Sequence, residues 1–333
     1  MTAEEYWFWL TNIEGIYYEK IDRIVKLYKS AENAFKISEA DLAGAEILDA
    51  NELHSFTESR RTLKMLKTLE KIKKAGIRFI YLGSPEYPER LENIDKKPFS
   101  LYVKGKLPSD ELPSAAIVGA RACTNYGRKM AEKISADLSE NGVQVISGLA
   151  LGIDGAAAKG ATSVSKPTFA VLGSGIDVIY PKSNLNLYYE ILMTGGGIIS
   201  EFPMGTQPLS WQFPFRNRII SGLSDKVIVI EARKRSGTLI TAGYALEQGR
   251  DIYALPGRYD DVCSEGCNKL IADGAGIYTG SEDLICDLFS SHSFTGKEAK
   301  EDVKKEKKKR APKAELGSIK KYLSLTPKNI KTI

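Results

Sequence analysis

The run Ala115-Ala116-Ile117-Val118-Gly119-Ala120-Arg121-Ala122-Cys123-Thr124-Asn125-Tyr126-Gly127-Arg128 constrains the fold more than any other stretch of this chain. An apolar segment ends in Gly, a short polar loop carries one Arg, and an amphipathic run from Lys129 to Glu140 follows. That order is the first strand-loop-helix turn of a parallel sheet, where backbone N–H groups gather around an anion.

The rest of the chain repeats the alternation. Strand-like runs at Ala116–Val118, Val143–Ile146, Thr168–Leu172, Gly197–Ile199, Lys226–Ile230, Asp251–Leu255 and Gly276–Tyr278 are separated by helical patterns. Near-continuous apolar strands between helices predict an α/β fold, an extended Rossmann-like doubly wound and mostly parallel sheet covered on both faces. Ligands of such sheets bind beyond the carboxyl ends of the strands. Two further short strands, Ile77–Leu82 and Leu101–Val103, lead into it.

Before them, residues 1–72 read as a small all-helical domain (SAM/helix-hairpin-helix-like) with an aromatic start, Tyr6-Trp7-Phe8-Trp9-Leu10. Its segment Ile13-Glu14-Gly15-Ile16 is either a hairpin turn that lets amides approach a phosphate or a packing turn. Tyr17, where a second Gly would help, favours packing. Residues 73–290 form the Rossmann-like domain. Residues 291–313 read as a Lys-rich linker, and 314–333 as a short C-terminal piece with one helix, Glu315–Leu325, too small to complete a winged helix.

The formal charge of +5 points to nucleic acid only until it is located. Nine Lys or Arg stand against four Asp or Glu between Lys297 and Lys313, so the whole excess sits there and the rest of the chain balances. Local clustering, not net charge, must carry any argument about the folded body. The acidic start Met1-Thr2-Ala3-Glu4-Glu5 is unlike a signal peptide and no apolar run is long enough to span a bilayer, so a cytoplasmic protein with no membrane partner is expected. Cys123, Cys263, Cys267 and Cys286 form neither a disulfide framework nor a zinc spacing; reduced thiols, no metal and no cofactor are expected.

The strand ends of the central domain carry a consistent chemistry. Gly119, Arg121, Thr124, Tyr126 and Gly127 follow the first strand, and Ser147 and Gly148 the second. Gly173, Ser174 and Gly175 follow the third; Lys182, the run Arg216-Asn217-Arg218 and Ser236-Gly237-Thr238 come later. Small residues admit close backbone approach, hydroxyls and helix N-termini donate hydrogen bonds, and Arg and Lys supply charge, so the edge suits several phosphates. Neither the dinucleotide fingerprint nor the Walker pattern is present: Gly119-Ala120-Arg121 lacks the second Gly, and no Gly-rich loop ends in Gly-Lys-Ser/Thr.

Catalysis is poorly provisioned, because the two His residues, His54 and His292, lie in the helical domain and the tail. Of the acids near the edge, Asp154 is most simply the cap of a helix beginning at Gly155, and Glu231 pairs with Arg233 or a neighbour. Tyr126, Tyr180, Phe202, Trp211, Phe213 and Phe215 fall in or beside the cationic loops, an arrangement suited to stacked bases, although several can equally be core. No recognition helix or ribbon for duplex DNA is apparent.

The motifs Ile117–Arg121, Ser147-Gly148-Leu149-Ala150-Leu151-Gly152-Ile153-Asp154, Leu172–Asp177 with Tyr180-Pro181, and Ser200-Glu201-Phe202-Pro203 together resemble the DNA-processing protein A (DprA/Smf) family. Phe213-Pro214 with Arg216–Ile220, Ser236–Thr241, Ala254-Leu255-Pro256-Gly257 and Gly266-Cys267-Asn268 extend the resemblance over about residues 75–280. It implies an extended Rossmann domain that binds single-stranded DNA, forms a homodimer and loads the RecA recombinase during natural transformation, without enzymatic activity. Carried onto this sequence, it implies DNA contacts at Gly119, Arg121, Lys182, Asn217 and Arg218. A dimer interface is expected on the late part of the sheet, at Leu270, Ile271 and Ile277. The rival reading is a nucleotide-processing enzyme of the phosphoribohydrolase type, whose Pro-Gly-Gly-x-Gly-Thr signature is replaced here by Arg235-Ser236-Gly237-Thr238.

Overall fold

A computed structural model of the chain describes residues 1–61 and 64–293. Among these residues nine strands form one sheet: β1 (Ile77–Tyr81), β2 (Ser100–Gly105), β3 (Ser114–Val118), β4 (Gln144–Ser147), β5 (Thr168–Leu172), β6 (Gly197–Ser200), β7 (Lys226–Val229), β8 (Asp251–Ala254) and β9 (Gly276–Ile277). The order across it is β1-β2-β6-β5-β4-β3-β7-β8-β9. From β6 to β9 every pairing is parallel, while β1 and β2 add an antiparallel ribbon on the β6 side. The chain winds outward from β3 in one direction through β4, β5 and β6, then returns to the other side of β3 with β7. The sheet is therefore doubly wound, with its switch between β3 and β7.

Burial explains why these segments are strands. Every residue of β3, β4, β5, β6 and β7 is buried, as two covered faces require. On one face, helices Asn125–Glu140 and Ile153–Ser163 cover Ala115, Ile117 and Val145. The second of these helices is built from small residues, and a Cβ at Gly160 would fall 2.2 Å from the Glu132 carbonyl oxygen of the first. On the other face, helices Gln212–Gly222 and Gly237–Glu247 bury Ile219, Ile220, Ala242 and Ala245 against Ala116, Val118, Val227 and Val229.

Among the described residues, six helices from Ala3–Thr11 to Lys64–Lys74 precede β1. The first opens with a capping box between Thr2 and Glu5, and its apolar face divides its work. Trp9 packs with Phe35 and Phe56 in a core of the helices, whereas Phe8 meets Phe79 and Tyr102 of the β1-β2 ribbon. The helices are thus anchored to the sheet by apolar contact, and residues 1–290 form one compact unit.

The last helix, Ser281–Ser293, runs three residues past the point where the sequence suggested a linker. Leu284 and Leu288, one turn apart, are buried against the sheet and carry the helix onward. The rest of the expected Lys-rich linker and the expected C-terminal piece fall outside the described residues. No helix among the described residues is long and apolar enough to cross a membrane.

Candidate nucleic-acid interface

Where β3 and β7 diverge, a cavity of about 370 Å³ opens beyond the carboxyl ends of the strands. Gly119–Ala122 after β3, the first turns of helix Gln212–Gly222, and Arg233 and Arg235–Thr238 after β7 line it. This is the position a doubly wound sheet reserves for a ligand.

Beneath the cavity lies a buried pair. Asp154 sits in the first turn of a helix that begins at Ile153 rather than Gly155, and it is not the cap; Gly152 is. Its carboxylate accepts the amides of Gly119 and Gly148 and faces the Arg216 guanidinium. Burial raises the Asp154 carboxyl above its ordinary value, against the opposing pull of Arg216, the two amides and Arg121. Burial likewise pushes Arg216 down to about 10. Arg216 donates to the carbonyls of Gly148 (2.9 Å) and Val171 and to Asn217 Oδ1 (3.2 Å).

The expected contacts Gly119, Gly148 and Arg216 are therefore framework, tying three strand-end loops together. A Cβ at Gly119 would lie 2.6 Å from Ile153, and one at Gly148 2.6 Å from both Arg216 and Asp154. Ser147 is buried, its hydroxyl donating to the Ile117 carbonyl at 2.7 Å.

The loop after β3 is held from the other side of the switch. Glu231, at the end of β7, accepts the Thr124 amide at 2.9 Å and the Thr124 hydroxyl. Its partner is thus Thr124, not Arg233. The same hydroxyl accepts the Gly127 amide at 3.0 Å and caps helix Asn125–Glu140, while Gly127 lies so close to the carboxylate that a Cβ would be 2.4 Å from it. Thr124 and Gly127 shape the loop and have no free donor for a phosphate. Gly173, Ser174 and Gly175 are packing residues as well: Gly173 lies under the Phe213 ring, Ser174 donates to the Val178 carbonyl at 2.7 Å, and the Gly175 amide donates to Thr206.

This frame aims Arg121 outward. Its side chain is exposed, and its guanidinium lies 4.8 Å from the centre of the Phe213 ring, which itself meets Tyr180 at 5.5 Å. Lys182 and Tyr126 are exposed at neighbouring loops, and Asn217 is half-buried at the cavity wall. Arg218 does not reach the edge. Two residues along the helix from Arg216 it points the opposite way, fully buried, with donors spent on Glu201 (2.6 Å), Lys96 O (2.6 Å) and Phe215 O (2.9 Å).

The sequence reading passed over the strongest charge at the site. Arg233, Lys234 and Arg235 follow β7 directly, all exposed, and Arg128 and Lys129 are exposed on the first turn of helix Asn125–Glu140. Among the described residues none of these five, nor Arg121 or Lys182, joins an ion pair. Three consecutive cations between a buried strand and the Ser236 cap of the next helix were the available signal.

Of the residues expected at a dimer contact, Leu270 and Ile271 pack against the core, and Ile277 on the edge strand β9 is 51% exposed. Among the described residues no cluster of His, Cys, Asp and Glu could hold a metal ion, and the four cysteines are free thiols.

The family described as DNA recombination-mediator protein A matches residues 78–289. Protein Smf of Synechocystis is 36% identical over 86% of this chain and 73% of its own length. DNA processing protein DprA of Streptococcus pneumoniae is 44% identical over 61% of this chain and 71% of its own. Its crystal structure superposes with a TM-score of 0.73, covering 86% of this chain and 98% of the other at 35% identity. The DprA of Helicobacter pylori, studied for its single-stranded DNA binding mode, gives a TM-score of 0.58 at 29% identity over 64% of this chain and 97% of its own. The chain belongs to the DNA recombination-mediator protein A family.

Proposed function

We propose that this protein binds single-stranded DNA along the carboxyl edge of its sheet, as a cytoplasmic homodimer that protects incoming strands and passes them to a RecA recombinase during natural transformation. The observation that carries the reading is the row of exposed, unpaired cations, Arg121, Lys182 and Arg233–Arg235, interleaved with Phe213, Tyr180 and Tyr126 at the switch of the sheet. Cations grip phosphates while rings take the faces of unpaired bases, a combination that duplex DNA, with its bases already stacked, cannot exploit. The relative from Helicobacter pylori, known for binding single-stranded DNA, supports the same assignment. The half-exposed Ile277 on a two-residue edge strand supports a dimer there, and sedimentation of the wild type as a monomer would remove that part.

The function rests on binding rather than turnover. Glu231 is engaged by Thr124, and Asp154 by two glycine amides and Arg216, so both acids near the edge have structural work. The test is fluorescence anisotropy of one oligonucleotide sequence offered as a single strand and as a duplex, over a range of salt. The single strand should bind more tightly, with log affinity falling by about 0.7 per phosphate contact for each unit of log salt. Equal affinity for the two forms, or release of base or ribose phosphate from AMP that is lost in Glu231→Gln, would overturn the proposal.

A further inference from the structure

The carboxyl edge does not end at the cationic cavity. Beyond β6 and the start of β2, a groove of about 850 Å³ runs between the N-terminal helices and the segment that follows β6. The turn Ile13–Tyr18 forms one wall, and Glu201–Gln212 the other. Tyr17, Trp211 and Leu209 line it with 63%, 46% and 50% of their surface exposed. Trp211 packs perpendicular to Tyr17 (6.1 Å, 79°) and to Phe202 (6.0 Å, 82°), and the exposure of Trp211 and Tyr17 leaves part of both rings open to the groove. The rings are held in place, since Phe202 is buried and Tyr17 opens helix Tyr18–Tyr28.

We infer that this groove is a second subsite of the same strand, where unpaired bases leaving the phosphate-gripping edge stack on Trp211 and Tyr17. The inference rests on the single-stranded DNA reading above. Three observations select this occupant. The groove adjoins the cationic site, because the start of one helix serves both: Phe213 and Asn217 line the cation cavity, while Trp211, Gln212 and Phe215 line the groove. In the sheet β5 stands between β6 and β3, so its strand-end loop, with Phe213 over Gly173, lies between the two.

The charge also divides as a nucleic acid needs. Among the described residues no Lys or Arg lines the groove, and Glu14 and Glu19 stand at its rim, so phosphates are held outside by the cations of the edge and only base faces enter. The turn that the sequence offered as a phosphate-binding hairpin acquires a different use. Its Gly15 is open to solvent at φ +82°, and Tyr17, the residue that argued against a phosphate, supplies the ring.

The test uses the full chain with an oligothymidylate of about 20 nucleotides and one of about four, the span of a small binding site. Trp9 is buried and Trp7 is half-buried against Phe99, so Trp211 is the exposed tryptophan whose emission reports on the groove. The long strand should quench that emission. Trp211→Ala and Tyr17→Ala should each weaken the long strand about 5-fold or more, the effect of losing one stacked base, and leave the short strand unchanged. Trp211→Phe, which keeps a stacking face, should restore most of the affinity. Thermal melts exclude unfolding as the cause.

If Arg121→Ala weakens both strands while Trp211→Ala and Tyr17→Ala change neither, DNA binds at the edge and the groove is not part of its path. If none of the three variants alters binding, the reading of the edge itself fails and the groove falls with it.

Discussion

The two ends of the parallel sheet treat their cations in opposite ways. At the amino end, Lys226 begins β7 with its side chain 2% exposed and its ammonium bonded to Asp251 (3.0 Å) and Asp287. Burial alone would lower that ammonium's pKa, and the two carboxylates turn the net shift upward. Nearby, Arg90 spends its guanidinium on Ser114 Oγ, the carbonyls of Leu223, Asp110 and Leu112, and the carboxylates of Asp225 and Asp110. At the carboxyl end of the same strand, Arg233, Lys234 and Arg235 are exposed without an ion pair among the described residues. A cation that the fold satisfies is architecture. One left exposed where loops diverge is available to a ligand, and the difference lies in partners that only the tertiary structure supplies.

The largest expected effect tests the architectural end. Arg90→Ala removes a guanidinium that is 8% exposed and leaves the carbonyls of Leu223, Asp110 and Leu112 short of a donor. Removing the buried member of such a hydrogen-bonded ion-pair network costs about 3–5 kcal/mol of stability. A chemical or thermal melt should show that loss, while the folded fraction binds single-stranded DNA within about two-fold of the wild type. Full stability in the variant, or DNA binding lost from a stable protein, would erase the distinction between the two ends.

The converse substitution, Arg121→Ala, should leave the melt unchanged and weaken single-stranded DNA binding by about 1.5–3 kcal/mol, the range for a hydrogen bond to a charged group. The slope of log affinity against log salt should become shallower by about 0.7 as one phosphate contact is lost. Arg121→Lys should recover only part, because a point charge replaces neither the two-pronged hydrogen bond nor the stacking over Phe213. Unchanged affinity and slope in a folded Arg121→Ala protein would remove DNA from this edge.

How much of this the sequence held depended on whether the governing contact was local. The five central strands were legible because full burial on both faces demands unbroken apolar runs, and the four partly exposed outer strands occur where their shorter apolar runs suggested. The strand-end loops were legible as a group, since a β-to-α turn is a local event. Roles within the group were not. Arg216, Asn217 and Arg218 are adjacent in sequence, yet a helix sends the first and last in opposite directions, and Glu201, seventeen residues away, claims Arg218. Glu231 and Thr124 are 107 residues apart and meet because β7 lies beside β3, so no spacing rule could have paired them. Arg233–Arg235 were visible as a cationic run, and only the certainty that Glu231 is occupied elsewhere frees Arg233 from the pairing first expected.

The smallest expected effect sits between the two classes, at Asp154, a satisfied charge placed directly beneath the unsatisfied ones. Burial holds its folded pKa above the ordinary 3.8, and Arg121 is among the groups that pull it back. Between the unfolded and folded values the folded protein binds a proton that the unfolded chain does not. This contribution therefore favours the folded state below that window and fades as pH rises through it, the reverse of an ordinary ion-paired carboxylate. A DNA phosphate brought to Arg121 adds a second negative charge beside Asp154 and must raise its pKa further. Binding should then take up a fraction of a proton, and affinity should rise modestly, by about two- to three-fold, as pH falls from neutral toward about 4. In Asp154→Asn that component vanishes. The substitution also turns an amide NH₂ toward a glycine amide where an oxygen had accepted, at a cost of about 1–3 kcal/mol in stability, so the comparison is made on protein shown by its melt to be folded. Anisotropy titrations of both proteins across this pH range at fixed salt isolate the difference, since the other carboxylates titrate alike in each. Parallel pH profiles would mean that Asp154 does not sense the phosphate, and that the DNA lies away from the cavity it underlies.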